Sequence, residues 1–162
     1  MGKRTSIIIP AYNEEAALPS VLEDLSRIES LSDAETIVVD DGSIDATSSI
    51  AAKFGTLVLR HDSNRGKVAA VKTGLDRSAG RYVVLMDADF TYPASAIPEM
   101  IDLLERGADL VIGSRFKHKV ENMPFVNRVG NRLFSLAASF VGGLSITDSQ
   151  SGFRAFRKSL LD

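Results

Sequence analysis

Asp87-Ala88-Asp89 follows directly on the apolar run Tyr82-Val83-Val84-Leu85-Met86. In extended chain, residues two apart point the same way, so both carboxylates can face one point just past a strand. Hard oxygen ligands of this kind suit Mg²⁺ or Mn²⁺, ions that take one or two carboxylates and fill their other positions with water and substrate phosphate. A solvated strand end carries the same pattern, so Asp-x-Asp alone does not decide between the two. Carboxylates recur after two other apolar runs, in Pro10-Ala11-Tyr12-Asn13-Glu14 and in Asp40-Asp41-Gly42-Ser43. Asp40 and Asp41 also fit an acidic turn capping a helix that starts near Ser43. Like charges gathered on one edge are costly without a cation among them, and that crowding suggests a metal.

The elements that must position these groups alternate strand and helix. Ser6–Pro10 is a short β-branched run of the kind buried on both faces. Leu18, Val21, Leu22, Leu25 and Ile28 recur at helical spacing, with Asn13 as the expected cap and Glu14 and Glu15 in the first turn. Strands are expected at Thr36–Val39, Leu57–Leu59, Tyr82–Met86 and Asp109–Ile112, and helices after Ser43, near Lys67–Ala79 and through Ile97, Met100, Ile101 and Leu104. Five strands separated by helices predict an α/β fold: a mostly parallel sheet, right-handed crossovers and helices on both faces. In such a sheet the ligand site lies at the carboxyl ends of the strands, where the acidic segments fall, together with Gly113-Ser114-Arg115.

Composition narrows the class. At 162 residues, 44% apolar, 25% charged and 7% aromatic, the chain suits one soluble domain and not a disordered, collagen-like or disulfide-scaffold protein. With 19 basic and 21 acidic residues the net charge is -2, so no global field draws it onto nucleic acid. The absence of cysteine removes disulfides, thiol nucleophiles and cysteine metal sites. No apolar run has the length of a membrane span and the start lacks a signal h-region, so a cytoplasmic protein is expected.

Several activities are disfavoured by missing residues. A dinucleotide oxidoreductase needs glycines after its first strand, and Pro10-Ala11-Tyr12-Asn13 has none, although Asp40 sits where a ribose-binding acid would. Gly66-Lys67 lacks the rest of a P-loop, with His61 at the first glycine position and Val68 at the Ser/Thr position. Gly-x-Ser-x-Gly is absent. His61 and His118 belong to no metal-ligand pattern and read as surface or strand-end residues.

The last fifty residues change character. Gly113–Arg132 is basic, with Arg115, Lys117, His118, Lys119, Arg128 and Arg132 against Glu121, and Leu133–Thr147 carries no charge. The chain stops at Leu161-Asp162 without a terminating element and reads as cut.

Six segments in order, at family-like spacing, resemble the family 2 glycosyltransferases, in particular the branch of dolichyl-phosphate mannose and glucose synthases. They are Ile7–Glu15, Ile37–Asp45, Asn64–Lys67, Met86–Phe90, Ile112–Phe116 and Asp148–Arg154. The resemblance implies a GT-A nucleotide-binding fold over 1–162, one catalytic domain with a nucleotide-binding part at 1–116 and an incomplete acceptor-side part at 117–162. It places Pro10, Tyr12, Glu14, Val39 and Asp41 on the base and ribose. Asp87 and Asp89 match the pair holding Mg²⁺ or Mn²⁺ on the sugar diphosphate, with Ala88 between them at the nucleotide. Arg115 matches a basic residue near the phosphates, Arg128 one that meets the acceptor phosphate, and Gln150-Ser151-Gly152 an acceptor-side loop, with Ser151 at the acceptor phosphate. Where relatives often carry Gln two residues after the Asp pair, this chain has Thr91.

The implied reaction is inverting transfer from a nucleotide-diphosphate sugar, GDP-mannose or UDP-glucose, to a polyprenyl or dolichyl phosphate. The basic stretch would hold the acceptor headgroup by charge-assisted hydrogen bonds. Leu133–Thr147 would then lie against the acceptor lipid or the cytoplasmic membrane face, or else form an ordinary core helix. Two other readings remain: a nucleotide-binding module without turnover, and a same-fold transferase acting on a soluble saccharide. The latter needs a base for its hydroxyl acceptor, and Asp148 is the local candidate.

Overall fold

Alternation along the strands decides which helices cover which side of the sheet. In the computed structural model, which describes residues 5–113 and 152–161, β1 (Thr5–Ala11) turns Ile7, Ile9 and Ala11 to one face and Ile8 to the other. The first face packs on α1 (Leu18–Ser26), α2 (Thr47–Lys53) and α4 (Ile97–Glu105); the second packs on α3 (Lys67–Arg77). α1 buries Leu18, Val21, Leu22 and Leu25, a stripe at helical spacing, and each such side chain contributes about 1.5–3 kcal/mol relative to exposure. Gly74 in α3 lies against Ile8, where an added Cβ would come within 2.4 Å of the Ile8 Cγ2, so the helix can approach the sheet only without a side chain there.

β2 (Glu35–Asp40), β3 (Leu57–Arg60), β4 (Tyr82–Leu85), β5 (Leu110–Ile112) and β6 (Arg154–Arg157) complete one sheet in the order β3-β2-β1-β4-β6-β5. β1 pairs in parallel with β2 and β4, and β2 with β3. The chain thus winds outward from β1 on one side and returns on the other, which makes the gap between β1 and β4 the topological switch point. This is the mixed α/β, mostly parallel sheet expected.

The exceptions are informative. β6, for which the sequence suggested no element, follows the expected loop at Gln150-Ser151-Gly152 and is antiparallel to both β4 and β5, with Leu85 opposite Arg154 and Ile112 opposite Arg154 on its other side. Being antiparallel, it brings its leading residues Gly152 and Phe153 to the edge where β4 ends. Asn13 does not cap α1, which begins at Leu18 with Ala17 before it and no side-chain cap. Asn13 adopts φ 55°, and its amide oxygen accepts the N–H of Ile44 instead, leaving Glu14 and Glu15 in the loop ahead of the helix. Ile28 lies beyond the helix end, and the helix expected after Ser43 starts at Thr47.

Candidate active site

Two loops at the carboxyl edge hold each other. Asn13 N–H donates to the Ser43 hydroxyl at 2.9 Å, Glu14 N–H to the Thr47 hydroxyl at 2.9 Å and Glu15 N–H to Asp45 at 3.1 Å. In return the Glu15 carboxylate accepts Ala46 N–H at 3.0 Å. Burial favours protonating Asp45, but hydrogen bonds from Thr47 and Glu15 outweigh it and hold its pKa below the ordinary value. This latch fixes the stretch carrying Tyr12 and Glu14, and Tyr12, 45% exposed, presents an aromatic face to the cleft.

Asp40 and Asp41 divide the labour. The Asp40 side chain is fully buried and accepts Ser43 N–H at 2.8 Å and the Ser48 hydroxyl, with the Arg60 guanidinium 3.4 Å away. It builds the turn. Asp41 reaches across to the segment between β3 and α3: Oδ1 accepts Arg65 N–H at 3.0 Å, and Oδ2 accepts Gly66 N–H at 2.8 Å. His61 Nδ1 lies 2.6 Å from Asp41 Oδ1, and its Nε2 lies 2.9 Å from the Thr73 hydroxyl. Of the two places expected for it, surface or strand end, His61 takes the second: it follows β3 directly and is a buried strut between Asp41 and α3. Burial pushes the Asp41 pKa up, but the Arg65 amide, His61 and the Gly66 amide together carry it below its ordinary value of 3.8. Asp40 is also depressed, its hydrogen bonds to Ser43 and Ser48 outweighing burial. Depressed carboxyls stabilise the fold in full above about pH 4, and that contribution is lost as the pH falls through their folded values.

Asp87 and Asp89 stand where β4 runs out. Asp87 Oδ1 meets the Lys67 ammonium at the first residue of α3, while its Oδ2 lies over Gly152. A Cβ on Gly152 would come within 2.1 Å of that oxygen, so a side chain there is incompatible with this carboxylate position. Gly152→Ala is accordingly expected to leave folding nearly intact, since the Asp87 carboxylate can swing away, and to weaken Mn²⁺-dependent nucleotide binding about tenfold. Calorimetric titration alongside a melting curve checks both halves. Asp89 Oδ1 accepts Thr91 N–H at 3.0 Å, closing a tight turn through Phe90 at φ 60°. The non-glycine residues at positive φ, among those described, are Asn13 and Phe90, both in loops of this edge. Such strain is commonly held at functional sites.

Glu14 completes the acidic group. Burial, then the charges of Asp89, Asp45 and Asp87, raise its pKa above the ordinary 4.5. A raised carboxyl stabilises the fold below its unfolded pKa and loses that contribution as the pH rises, so at neutral pH Glu14 sits in unrelieved negative potential. Among the described residues no three His, Asp or Glu side chains converge tightly enough to hold a metal alone. The fit to a hard divalent cation rests on Asp87 and Asp89 side by side and on a cation, Lys67, already drawn to Asp87. Water and a diphosphate would supply the other positions.

Pro10, Tyr12, Glu14, Asp41, Asp87, Ala88 and Asp89 line one open cleft of about 310 Å³ at the switch point, with Asn64, Gly66 and Lys67. Val39 does not line it; its side chain is fully buried beside Ile8, Ile37 and Ala70. Arg115, Arg128, Ser151, Asp148 and Leu133–Thr147 lie outside the described residues. Sequence reasoning assigned no role to His61 or Lys67, although Asn64–Lys67 stood among the matching segments. Among the described residues no helix is long and apolar enough to cross a membrane.

Known proteins resemble this chain in sequence and in fold. The family described as glycosyl transferase family 2 matches residues 6–162. A dolichyl-phosphate hexose transferase of Haloferax volcanii is 39% identical over 156 residues, covering 96% of this chain and 67% of the relative. A dolichol-phosphate mannosyltransferase of Pyrococcus furiosus is 34% identical over 171 residues, covering 98% and 47%. Glucosyl-3-phosphoglycerate synthase from Mycobacterium tuberculosis, solved with Mn²⁺, UDP-glucose and phosphoglyceric acid, superposes with a TM-score of 0.77 at 26% identity, covering 98% of this chain and 58% of that one. The chain thus spans about half to two thirds of the length of these proteins.

Proposed function

The chain belongs to glycosyl transferase family 2, and from that premise we propose that it moves a sugar with inversion from a nucleotide-diphosphate sugar, GDP-mannose or UDP-glucose, to a polyprenyl phosphate. The observation that carries the reading is the cleft at the β1/β4 switch point, lined by Tyr12, Glu14 and Asp41 as well as Asp87 and Asp89. Such a cleft offers an aromatic and hydrogen-bonding end for a nucleoside and an acidic end for a metal-bound diphosphate.

In this reading Pro10, Tyr12, Glu14, Asp41 and the main chain at Val39 and Ala88 receive the nucleoside. Asp87 and Asp89 hold Mg²⁺ or Mn²⁺, which when bound supplies Lewis-acid stabilisation of the departing diphosphate. Arg115 steadies the donor phosphates, and Arg128 and Ser151 receive the acceptor phosphate, with 117–162 forming the acceptor side of the domain. A phosphate acceptor is already anionic at neutral pH, so no side-chain base is required. This agrees with His61, whose two ring nitrogens face Asp41 and Thr73. A lipid acceptor implies a reaction at a membrane surface, which we read as the cytoplasmic face. A soluble phosphorylated acceptor is the second reading, favoured by the likeness to the synthase solved with phosphoglyceric acid.

A thermal-shift panel of GDP, UDP, GDP-mannose and UDP-glucose, each with Mn²⁺ or Mg²⁺, tests the donor side. Ligand at about 100 times its dissociation constant adds about 2.7 kcal/mol, worth roughly 5–10 °C for a domain of this size. One base is expected to shift the transition more than the other, and only with metal in full. No shift with any nucleotide removes the proposal.

A further inference from the structure

We propose that Lys67 is an exchangeable counter-cation: in the ligand-free protein it neutralises Asp87, and on ligand binding it yields Asp87 to the metal and moves to the donor diphosphate. This rests on the metal and nucleotide reading above and adds to it an order of events.

The argument starts from the Lys67 ammonium on Asp87 Oδ1. That carboxylate lies against the Gly152 backbone, where an added Cβ would come within 2.1 Å of Oδ2 and 2.7 Å of Oδ1, and both Asp87 and Lys67 line the cleft. A divalent ion approaching Oδ1 meets a like charge on the same atom. Two such cations within about 4 Å repel appreciably even in water, and twice as strongly when one is divalent. Lys67 must therefore leave before the metal is seated.

Leaving is easy for the side chain and costly for its charge. The Lys67 side chain is 58% exposed, so its ammonium moves readily, whereas that of Asp87 is only 22% exposed and its charge is poorly solvated once the ammonium has gone. The Lys67 backbone, in contrast, is anchored: Gly66 ahead of it has φ 89°, and the Gly66 N–H is tied to Asp41. The ammonium consequently swings about a fixed point on the cleft wall and needs a new anion within reach. Metal alone supplies none, whereas a nucleoside diphosphate entering the same cleft does. Metal and nucleotide then favour each other beyond the bonds between them, and by linkage each raises the affinity for the other by the same factor.

The test uses the 162-residue chain and binding readouts. Mn²⁺ alone, followed by paramagnetic resonance of the free ion, is expected to bind Lys67→Met about tenfold more tightly than the native protein, with Lys67→Arg unchanged. UDP or GDP alone, followed by calorimetry, is expected to bind Lys67→Met about tenfold more weakly. Asp87→Asn added to Lys67→Met is expected to abolish the gain in Mn²⁺ affinity. Mn²⁺ affinity in Lys67→Met equal to or below the native value overturns the exchange, as does a gain that survives Asp87→Asn. If native protein binds Mn²⁺ normally with nucleotide while Lys67→Met shows no gain, the exchange alone fails. Absence of Mn²⁺ binding even with nucleotide overturns both it and the metal reading. Circular dichroism is expected to be native in every variant, because the Lys67 side chain is more than half exposed and asparagine keeps the shape of Asp87.

Discussion

Asp89→Asn is expected to lower metal-dependent nucleotide affinity at least about a hundredfold while leaving the fold intact. Changing residues that merely orient a metal ligand typically costs 10- to 100-fold, so loss of a ligand charge sets a larger scale. The fold is spared because the Asp89 contact that shapes its loop is acceptance of Thr91 N–H by Oδ1, and an asparagine oxygen retains it. A second readout separates charge from shape. After burial, Asp89 is the charge that raises Glu14 most. In Asp89→Asn the Glu14 pKa is expected to fall back toward its ordinary value by NMR titration, and metal-free stability above pH 4.5 to stay level or rise. Native metal-dependent affinity in this variant would remove Asp89 from the metal site. An unmoved Glu14 would mean the two carboxylates do not share one field.

What was legible beforehand follows the physics of buried parallel strands. Ile7-Ile8-Ile9 and Ile37-Val38-Val39 are apolar on both faces because helices cover both, and such runs cannot be mistaken for a solvated edge. Parallel strands also end on one edge, so acidic residues after β1, β2 and β4 had to gather. The convergence of Glu14, Asp41, Asp87 and Asp89 on one cleft was therefore readable from the sequence. β6 was not, because its four residues draw stability from Leu85 and Ile112, far away in sequence. Asn13 misled because Asn serves equally at a helix cap and in left-handed backbone, and the partner that decides, Ile44 N–H, belongs to another loop. His61 carries no local signal, and Lys67 only that of the matching segment Asn64–Lys67, which says nothing of its partner. A buried strut and a cleft cation have the same sequence as a surface His and a surface Lys.

Gly42→Ala is expected to cost about 3–5 kcal/mol of stability and to weaken nucleotide binding with it. Gly42 sits at φ 79°, where an L side chain costs about 1–2 kcal/mol. Its added Cβ would also fall 2.5 Å from the Ser63 carbonyl carbon and 2.7 Å from Asn64 N. Those are backbone atoms and cannot rotate aside, so the segment between β3 and α3 has to move. That segment supplies the Arg65 and Gly66 amides to Asp41, and hydrogen bonds to a charged group are worth about 1.5–3 kcal/mol each. Losing one of them with the backbone strain accounts for the total, and the melting temperature falls by roughly 6–20 °C. Gly55 isolates the strain: it has φ 70° and nothing within 4 Å of an added Cβ. Gly55→Ala should cost only the 1–2 kcal/mol of left-handed backbone and leave nucleotide affinity unchanged. The difference between the two variants in chemical denaturation measures how firmly Asp41 ties the cleft wall, and Lys67 with it, to the sheet. If Gly42→Ala is no worse than Gly55→Ala, the wall yields freely and Asp41 is not what holds it.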